Sequence, residues 1–416
     1  MDDPEYVGGE GDGYNEELIG AEVDRVVDNF LFHTASLQLP QGLTTEFASS
    51  LRISTLRSVI LNGSKVGKLN DDQVSSFVHC IVKSNILLEC LSLSYHNITD
   101  AGCGYICSAL LFGVSAADDP QQSLQLEVLD LEGNQITAKG LHALRLHSSK
   151  DCPLLSLNMS YNNLDEEGGM ILAEALAVNR VLRQVIINNC GFTLNAVIAV
   201  ATSLAKVSKS GNPVLEELQI DRPILGKSVG EDSVDHFSRI CANPQTALAA
   251  LSLRYYNCGD LGAKLMAQAL SRNATIVTLN LECNRIGVAG AEALASYLIS
   301  QAKKDVPSIR SLRLSYNCIG NEGAIALAEA LTISSTLVDL SLKNNGIGPS
   351  GLLTLGRALF KNNTLNSFAV FGNDFDSESG KLFYDVLTQR APYVGLLLDV
   401  VCYEVDGAFL VAEASL

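Results

Sequence analysis

The chain of 416 residues has no tryptophan and only 6% aromatic side chains, and its formal net charge is −17. No long basic stripe is present, which argues against a nucleic-acid-binding surface. No uninterrupted apolar stretch is long enough for a membrane helix, and the first residues lack the basic start and apolar core of a secretion signal. We therefore expect neither nucleic acid nor membrane among the partners.

Metal-binding and catalytic signatures are also missing. The eleven cysteines include no Cys-x-x-Cys pair, so we interpret them as reduced small hydrophobes of an intracellular, cytoplasmic protein. The six histidines lack the spacing of a zinc protease, and no Gly-x-Ser-x-Gly elbow is present. Gly226-Lys-Ser228 resembles the end of a phosphate-binding loop, but Asp221 stands where that loop needs its first glycine. We predict no enzyme activity, no catalytic residue, no metal and no cofactor.

What the chain does contain is one pattern, Leu-x-x-Leu-x-Leu-x-x-Asn-x-Ile, written about eleven times with a base period of 28 residues. Each copy joins a short strand pattern to an apolar helical stretch, and such units bury their apolar side only by stacking. Because a helix is wider than the roughly 4.8 Å between strands, the stack curves. The pattern predicts an α/β solenoid, a horseshoe with a parallel inner sheet and outer helices. The copies begin at Leu56, Leu88, Leu126, Leu154, Leu182, Leu215, Leu248, Ile276, Ile309, Leu337 and Leu365.

The asparagine position of the pattern has a predicted structural role, because a side-chain amide there can satisfy backbone groups left unpaired where each strand ends. Cys190 fits the position as a small, weakly polar residue, whereas Ser64 and His96 are looser substitutes. Pro223 and Tyr256 break the pattern in two consecutive repeats, which indicates either a tolerated irregularity or a specialised surface. The position is filled as expected by Asn134, Asn162, Asn284, Asn317, Asn345 and Asn373.

Three regions are predicted along the chain. Residues 1–55 form an acidic disordered start and an N-terminal helical cap, since ten acidic residues face only Arg25 in residues 1–30. Residues 56–390 form the solenoid. Residues 391–416 form a capping β-hairpin, in which Leu396–Val405 and Ala408–Ala414 flank Asp406-Gly407, a dipeptide typical of two-residue turns.

The inner sheet is the predicted binding surface, because alternate strand residues line up in columns across neighbouring repeats. Asp221, Arg254 and Glu282 alternate in sign on adjacent strands, which fits pairing within the face as well as contact with a partner. Tyrosines along one rim either belong to the repeat consensus or act as energetic centres of an interface. The predicted partner-binding residues are Tyr95, Glu132, Tyr161, Arg222, Arg254, Tyr255, Glu282, Arg313, Tyr316, Lys343 and Phe371.

These strands, the 28-residue period and helices such as Gly323–Leu331 resemble the ribonuclease-inhibitor class of leucine-rich repeats over about residues 50–390. Three stretches outside the pattern, Asp221–Leu225, Phe371–Asp376 and Val405–Glu413, resemble a narrower group within that class. The resemblance implies an intracellular scaffold, with cytoplasmic, nuclear and ciliary settings all compatible. It transfers no catalytic residue.

We accordingly predict a non-enzymatic interaction scaffold that binds a protein partner through the concave sheet and rim, as part of a larger complex such as a ciliary or axonemal assembly. Two alternatives follow from the same class. Ran-activating proteins share it, which suggests a regulator of a small GTPase. A ribonuclease-inhibitor-like or nuclear and nucleolar regulatory protein is the other alternative, although the missing tryptophans depart from the inner face of ribonuclease inhibitor.

Overall fold

The computed structural model describes residues 57–83, 88–111, 126–146, 152–205, 214–225, 230–304, 309–390 and 395–414. Within these residues, eleven strand–helix units follow one another, which confirms the predicted α/β solenoid. Their strands are β1 (Ser58–Asn62), β2 (Cys90–Ser94), β3 (Val128–Asp130), β4 (Ser156–Asn158), β5 (Gln184–Ile186), β6 (Glu217–Gln219), β7 (Ala250–Ser252), β8 (Thr278–Asn280), β9 (Ser311–Arg313), β10 (Asp339–Ser341) and β11 (Ser367–Ala369).

The helices lie between the strands, and two of them, Asp100–Ile106 and Ser377–Asp385, run on into a π-helical turn, Cys107–Leu111 and Val386–Arg390 respectively. In the described part of the chain, no helix is both long and apolar enough to cross a membrane. The helices are α1 (Gly63–Val66), α2 (Asp71–Lys83), α3 (Asp100–Ile106), α4 (Ala138–Ala143), α5 (Asp165–Val178), α6 (Leu194–Ala205), α7 (Gly230–Cys241), α8 (Gly259–Leu270), α9 (Val288–Lys304), α10 (Gly320–Ile333), α11 (Pro349–Lys361) and α12 (Ser377–Asp385).

The strands form one parallel sheet in chain order, in a register that places equivalent residues of the repeats side by side. Leu91 of β2 pairs with Leu129 of β3, which pairs with Leu157 of β4. All three side chains are completely buried against the helices. Because successive side chains along a strand point to opposite faces, the residues before and after each of these leucines in its own strand face the concave side.

A ladder of asparagine side chains forms hydrogen bonds with the backbone groups at the ends of the strands. Asn134 Nδ2 donates to the carbonyl of Leu93 in the preceding repeat, at 2.8 Å, and to that of Leu131 in its own, at 2.9 Å. Its Oδ1 accepts from the Ile98 N–H at 3.1 Å. The predicted structural role is thus observed, and each amide ties one repeat to its neighbour. The same bond to the preceding repeat is made by Asn162, Asn284, Asn317, Asn345 and Asn373.

Tyr256 keeps this bond although its side chain departs from the pattern. Its buried hydroxyl donates to the carbonyl of Ile220 at 2.8 Å, the carbonyl that an asparagine would reach from this position. The thiol of Cys190 makes a weaker version at 3.3 Å. Pro223 has no side-chain donor and cannot make this bond. Of the two consecutive repeats in which the pattern breaks, only the repeat of Pro223 therefore loses the hydrogen bond to its neighbour.

His96 is the third substitute in the ladder. Its Nδ1 accepts from the Leu69 N–H at 3.0 Å, so Nε2 carries the proton and donates to the Leu61 carbonyl at 3.3 Å. Burial lowers the pKa of His96, opposed by the hydrogen bond to Leu61. The repeat therefore requires the neutral imidazole.

Neighbouring helices are joined by carboxylates in the first turn of a helix. Asp100 of α3 accepts from the Thr137 N–H at 2.8 Å, and Asp260 of α8 accepts from the Gly287 N–H at 2.7 Å. In both cases the next helix begins immediately after the bonded residue. A carboxylate placed there satisfies an unpaired N–H and interacts favourably with the helix dipole.

The end of the array differs from the predicted single hairpin strand Leu396–Val405. Residues β12 (Leu397–Leu398) add a twelfth strand to the sheet, and β13 (Val400–Val405) and β14 (Ala408–Glu413) form a separate antiparallel hairpin. The chain divides at Asp399, whose completely buried carboxylate accepts from the Val370 N–H at 2.6 Å. The predicted start and helical cap, residues 1–55, lie outside the described residues, and the domain boundaries stay predictions.

Candidate functional site

One position in each repeat, the second residue after the inner core leucine, defines the rim of the concave face. Its backbone is left-handed, with φ between 50° and 79° in ten consecutive repeats. In the first nine of these repeats its N–H donates to the next repeat, as from Tyr316 to the Lys343 carbonyl at 2.7 Å, so the hydrogen-bond ladder continues beyond the short strands. We call these residues the rim column: Tyr95, Gly133, Tyr161, Asn189, Arg222, Tyr255, Cys283, Tyr316, Asn344 and Gly372.

The left-handed backbone explains the mixed composition of the rim column. Glycine and asparagine adopt this conformation readily, whereas a side chain with a bulky ring costs roughly 1–2 kcal/mol there. Four tyrosines nevertheless occupy the column and point into solvent. Tyr95 is 38% exposed, Tyr255 40%, Tyr161 48% and Tyr316 54%. The sequence carried a signal for this geometry, because glycine and asparagine share the column with the tyrosines.

Tyr95 is held by the neighbouring repeat. Its hydroxyl donates to Glu132 Oε1 at 2.5 Å, and its ring lies over Gly133, where an added Cβ would meet the ring at 2.5 Å. The other oxygen of Glu132 accepts from Asn158 Nδ2 at 3.0 Å. The bond to Glu132, with burial and nearby negative charge, raises the pKa of Tyr95 to about 12. Both polar groups are therefore already engaged within the protein.

Tyr255 has cationic neighbours instead. The guanidinium carbon of Arg222 lies 4.5 Å from the centre of the Tyr255 ring, and that of Arg254 lies 5.6 Å from it. Both distances are within the range of a cation–π contact. A hydrogen bond with Cys283 raises the pKa of Tyr255, while the two arginines act in the opposite direction. Arginine and tyrosine thus form one exposed cluster on the rim.

The charged residues of alternating sign on the inner face, Asp221, Arg254 and Glu282, contact one another through Arg254. Arg254 Nε lies 3.1 Å from Glu282 Oε2. Asp221 is buried and accepts from the Arg254 N–H and the Ser252 hydroxyl, both at 2.8 Å. Burial raises the pKa of Asp221, and these hydrogen bonds oppose the rise. Asp221 thus anchors the main chain of Arg254 next to Tyr255, and Glu282 acts as the counter-ion of the Arg254 side chain.

The remaining predicted residues lie toward the end of the array. Arg313 is exposed, and its Nε is 3.5 Å from Asp339 Oδ2. Lys343 Nζ lies 3.2 Å from Asp399 and 3.2 Å from Glu413, so it connects the sheet to the hairpin. Burial acts to lower the pKa of Lys343, but the bonds to these two carboxylates outweigh it, and the pKa is raised.

The predicted set therefore divides by position. Phe371 packs partly against the core, and its N–H donates to Asp399. Phe371 and Lys343 therefore lie at the end of the sheet that contacts the terminal hairpin. Arg222, Arg254 and Tyr255 form one cluster, and Tyr316 lies along the same rim. Tyr95 and Tyr161 lie on the rim of earlier repeats, and Glu132 is bonded to Tyr95. Sequence reasoning missed the neighbours of these clusters, which include Gly133, Cys283 and Asp399.

Among the described residues, no group of three or more potential metal ligands is brought together. The arrangement of the concave face is that of a contact surface. Aromatic rings and guanidinium groups are presented at the rim, and short polar side chains such as Ser252 and Asn280 occupy the middle of the sheet. Tyr and Arg are the residue types that most often dominate binding energy in protein interfaces.

Comparison with known proteins agrees with this architecture. A family model described as Leucine Rich repeat matches residues 84–107, 123–144, 150–173, 272–295, 307–328 and 334–356. The three central repeats that hold Cys190, Pro223 and Tyr256 at the asparagine position lie outside the matched segments.

Curated relatives match part of the chain. Ribonuclease inhibitor of Sus scrofa is 27% identical over 220 residues, covering 52% of this chain and 44% of that protein. "NACHT, LRR and PYD domains-containing protein 5" of Homo sapiens is 24% identical over 273 residues, covering 64% of this chain and 21% of that protein. The chain thus spans less than half the length of these relatives.

A solved structure, "Leiomodin-1 Actin-Binding Site 2 (ABS2)", is 22% identical, covers 38% of this chain and 86% of that chain, and has a TM-score of 0.30. A score this low supports no argument about function. The narrower sequence resemblance, which is to leucine-rich repeat-containing protein 34, is not tested by these matches and stays a prediction.

Proposed function

The chain is a leucine-rich repeat protein of the ribonuclease-inhibitor class, and we propose that it is a non-enzymatic scaffold that holds a protein partner on its concave face and rim. Membership in a larger assembly, with a ciliary axoneme as the foremost candidate, is part of this proposal. It is supported by the class and by the narrower sequence resemblance.

The exposed tyrosines of the rim column carry the proposal. Tyrosine is disfavoured by a left-handed backbone, and a glycine or asparagine would fold there at lower cost. The chain keeps Tyr255 and Tyr316 at such positions with about half of each side chain exposed. Unfavourable backbone geometry that persists at exposed residues is typical of binding sites. Function, and not stability of the array, is the better reason for these rings.

The cluster around Tyr255 is the proposed centre of the contact. Arg254 is ordered before a partner binds, because Glu282 holds its side chain in an ion pair and the bond from its backbone N–H to Asp221 anchors its main chain. Arg222 and Tyr255 present a cationic and aromatic surface directly above it. This pre-organised surface suits a partner that offers carboxylates together with apolar groups.

The test is quantitative recovery of partners from the native source with tagged protein. Replacing Arg254, Tyr255 and Tyr316 together by alanine should lower partner recovery at least about tenfold, since each interface centre contributes on the order of 2 kcal/mol. Circular dichroism and thermal unfolding verify that the variant is folded.

A matched control is available on the outer side of the array. Tyr105 of α3 and Arg272, which follows α8, are both exposed, so the double variant Tyr105→Ala/Arg272→Ala removes the same residue types away from the sheet. It should leave recovery unchanged. Equal recovery with the rim variant and the unmodified chain would contradict the proposal.

The relatives favour one second candidate, binding of a ribonuclease, because two of them are ribonuclease inhibitors. Titrating the chain into a pancreatic-type ribonuclease and measuring RNA cleavage tests this candidate. Stoichiometric loss of cleavage that the rim variant abolishes would assign the rim to a ribonuclease partner. Undiminished cleavage at a molar excess of the chain would remove the candidate.

A further inference from the structure

The terminal hairpin has one face that the fold does not cover. Its six cross-strand pairs alternate between two sides, and Phe409, Cys402 and Val411 turn toward the array, where the Phe409 ring lies 5.4 Å from that of Tyr384. The opposite side is apolar and open to solvent. Its exposed fractions are 46% for Val401, 45% for Tyr403, 45% for Val405 and 45% for Leu410.

The two edges of the hairpin also differ. Val405 and Ala408 flank the two-residue turn and bond to each other, so the backbone groups of the next pair, Glu404 and Phe409, point outward. On the β14 edge the outward Phe409 N–H donates to Ser377 Oγ of α12 at 2.9 Å. On the β13 edge, no backbone partner for the outward N–H groups of Cys402 and Glu404 is present among the described residues.

The segment that forms the hairpin carries charges of one sign. Residues 395–414 contain Asp399, Glu404, Asp406 and Glu413 and no lysine or arginine. Asp399 and Glu413 share Lys343 as a counter-ion, whereas Glu404 and Asp406, beside the open edge, have no ion pair among the described residues. A second copy that paired through the same edge would bring only more negative charge to it.

The size of the face also argues against a second copy. Four side chains that are less than half exposed offer far less than the roughly 800 Å² per partner that a stable dimer buries. A single extended segment, by contrast, gains main-chain hydrogen bonds along an open edge in addition to its side-chain contacts. An open edge strand is the usual place for such an addition.

We propose that the β13 edge is a docking site for an extended segment of a protein partner in which apolar residues alternate with lysine or arginine. Alternate side chains of an added strand point to opposite faces. Its apolar residues would continue the row Val401, Tyr403 and Val405, and its basic residues would lie on the side of Glu404. This site is separate from the rim column and does not depend on it.

The probe is a short fluorescein-labelled peptide that alternates valine and lysine, titrated into the full chain and followed by fluorescence anisotropy. Saturable binding is expected. Glu404→Lys should weaken it at least about tenfold, because attraction is exchanged for repulsion. Tyr403→Glu should weaken it similarly, whereas Tyr316→Ala on the rim should not change it. Both hairpin side chains are exposed, so neither variant should unfold the array.

Hydrogen exchange supplies a readout at the backbone. In the free chain the Cys402 and Glu404 amides should exchange faster than that of Tyr403, and the peptide should slow both. Absent or non-saturable binding, equal binding of a valine–glutamate peptide, or unchanged exchange at Cys402 and Glu404 would overturn the proposal. So would a dimer of the chain alone in sedimentation that Tyr403→Glu dissociates, because a second copy would then occupy the face.

Discussion

The segments Tyr95-His96 and Tyr255-Tyr256 occupy the same two positions of their repeats and use them differently. In both, the first residue is left-handed and exposed, and the second is buried and donates to a carbonyl of the preceding repeat. Tyr95, however, is bonded to a carboxylate, whereas the Tyr255 ring lies beside two guanidinium groups. The position in the repeat determines the backbone conformation, and the side chains of the neighbouring repeats determine which groups contact the tyrosine.

This difference explains why one segment is the proposed binding centre and the other is not. The hydroxyl of Tyr95 and both oxygens of Glu132 already have partners within the sheet. A bound protein would have to displace these hydrogen bonds. Beside Tyr255, the exposed Arg222 keeps a cationic surface, so a partner gains contacts with it without that loss.

The largest effect should come from removing the buried ring of the second segment. Tyr256→Ala should lower the free energy of unfolding by about 3–5 kcal/mol, because it leaves a cavity against Phe237 and an unsatisfied Ile220 carbonyl. Tyr256→Phe isolates the hydroxyl and should cost about 1–3 kcal/mol. Urea unfolding measures both. The exposed neighbour is the control, since Tyr255→Ala should cost less than about 1 kcal/mol; equal losses at both positions would erase the distinction between them.

A smaller effect is expected next to the first segment. Gly133→Ala should destabilise the chain by about 2 kcal/mol, because it adds the left-handed backbone cost and pushes the new methyl group into the Tyr95 ring. Cys283→Ala at the equivalent position beside Tyr255 should change stability by less than about 0.5 kcal/mol, since a side chain is already accommodated there. Thermal unfolding of the two variants decides whether the Tyr95 ring is held as tightly as the geometry indicates.

The buried residues of the two segments should differ in pH dependence. The pKa of His96 is lowered in the folded chain, so the unfolded chain binds a proton first as the pH falls below about 6.5. Stability from the neutral imidazole is present above that pH and is lost below it, by at most about 1.4 kcal/mol per pH unit. Denaturant unfolding between neutral and mildly acidic pH, compared with His96→Asn, isolates this contribution. Parallel curves for the two proteins would show that His96 does not titrate with unfolding.

The smallest effect is spectroscopic and leaves stability at neutral pH unchanged. Tyr95 should ionise near its raised pKa of about 12. Glu132→Gln removes the charged acceptor and should move the pKa of Tyr95 back toward the ordinary value of about 10. Ultraviolet absorbance during alkaline titration, with Tyr95→Phe to identify the signal, measures the shift. An unshifted titration in Glu132→Gln would mean that the carboxylate is not the cause.

Much of the fold followed from local pattern. The leucine and asparagine spacing predicted eleven units, the parallel sheet and the amide ladder, because each of these depends on contacts between adjacent repeats. The left-handed rim column was also within reach, since Gly133, Asn189, Asn344 and Gly372 share a position with the tyrosines.

Other features depend on contacts that no periodicity encodes. The Tyr256 hydroxyl donates to the carbonyl of Ile220, 36 positions away. It takes the place of the asparagine amide that makes this bond in other repeats. Lys343 bonds to Glu413 across 70 positions because the hairpin folds back on the sheet. For the candidate site, the residue types predicted a rim that carries tyrosine and arginine. Only the geometry shows that Tyr255 lies beside two arginines whereas Tyr95 is bonded to Glu132.

Hydrogen exchange on the purified complex of this chain with a co-isolated partner tests the central claim most directly. The account predicts slowed exchange in the rim segments around Arg222, Tyr255 and Tyr316, with unchanged exchange on the outer helices. Slowed exchange confined to the helices, with these rim segments unaffected, would contradict a partner-binding concave face.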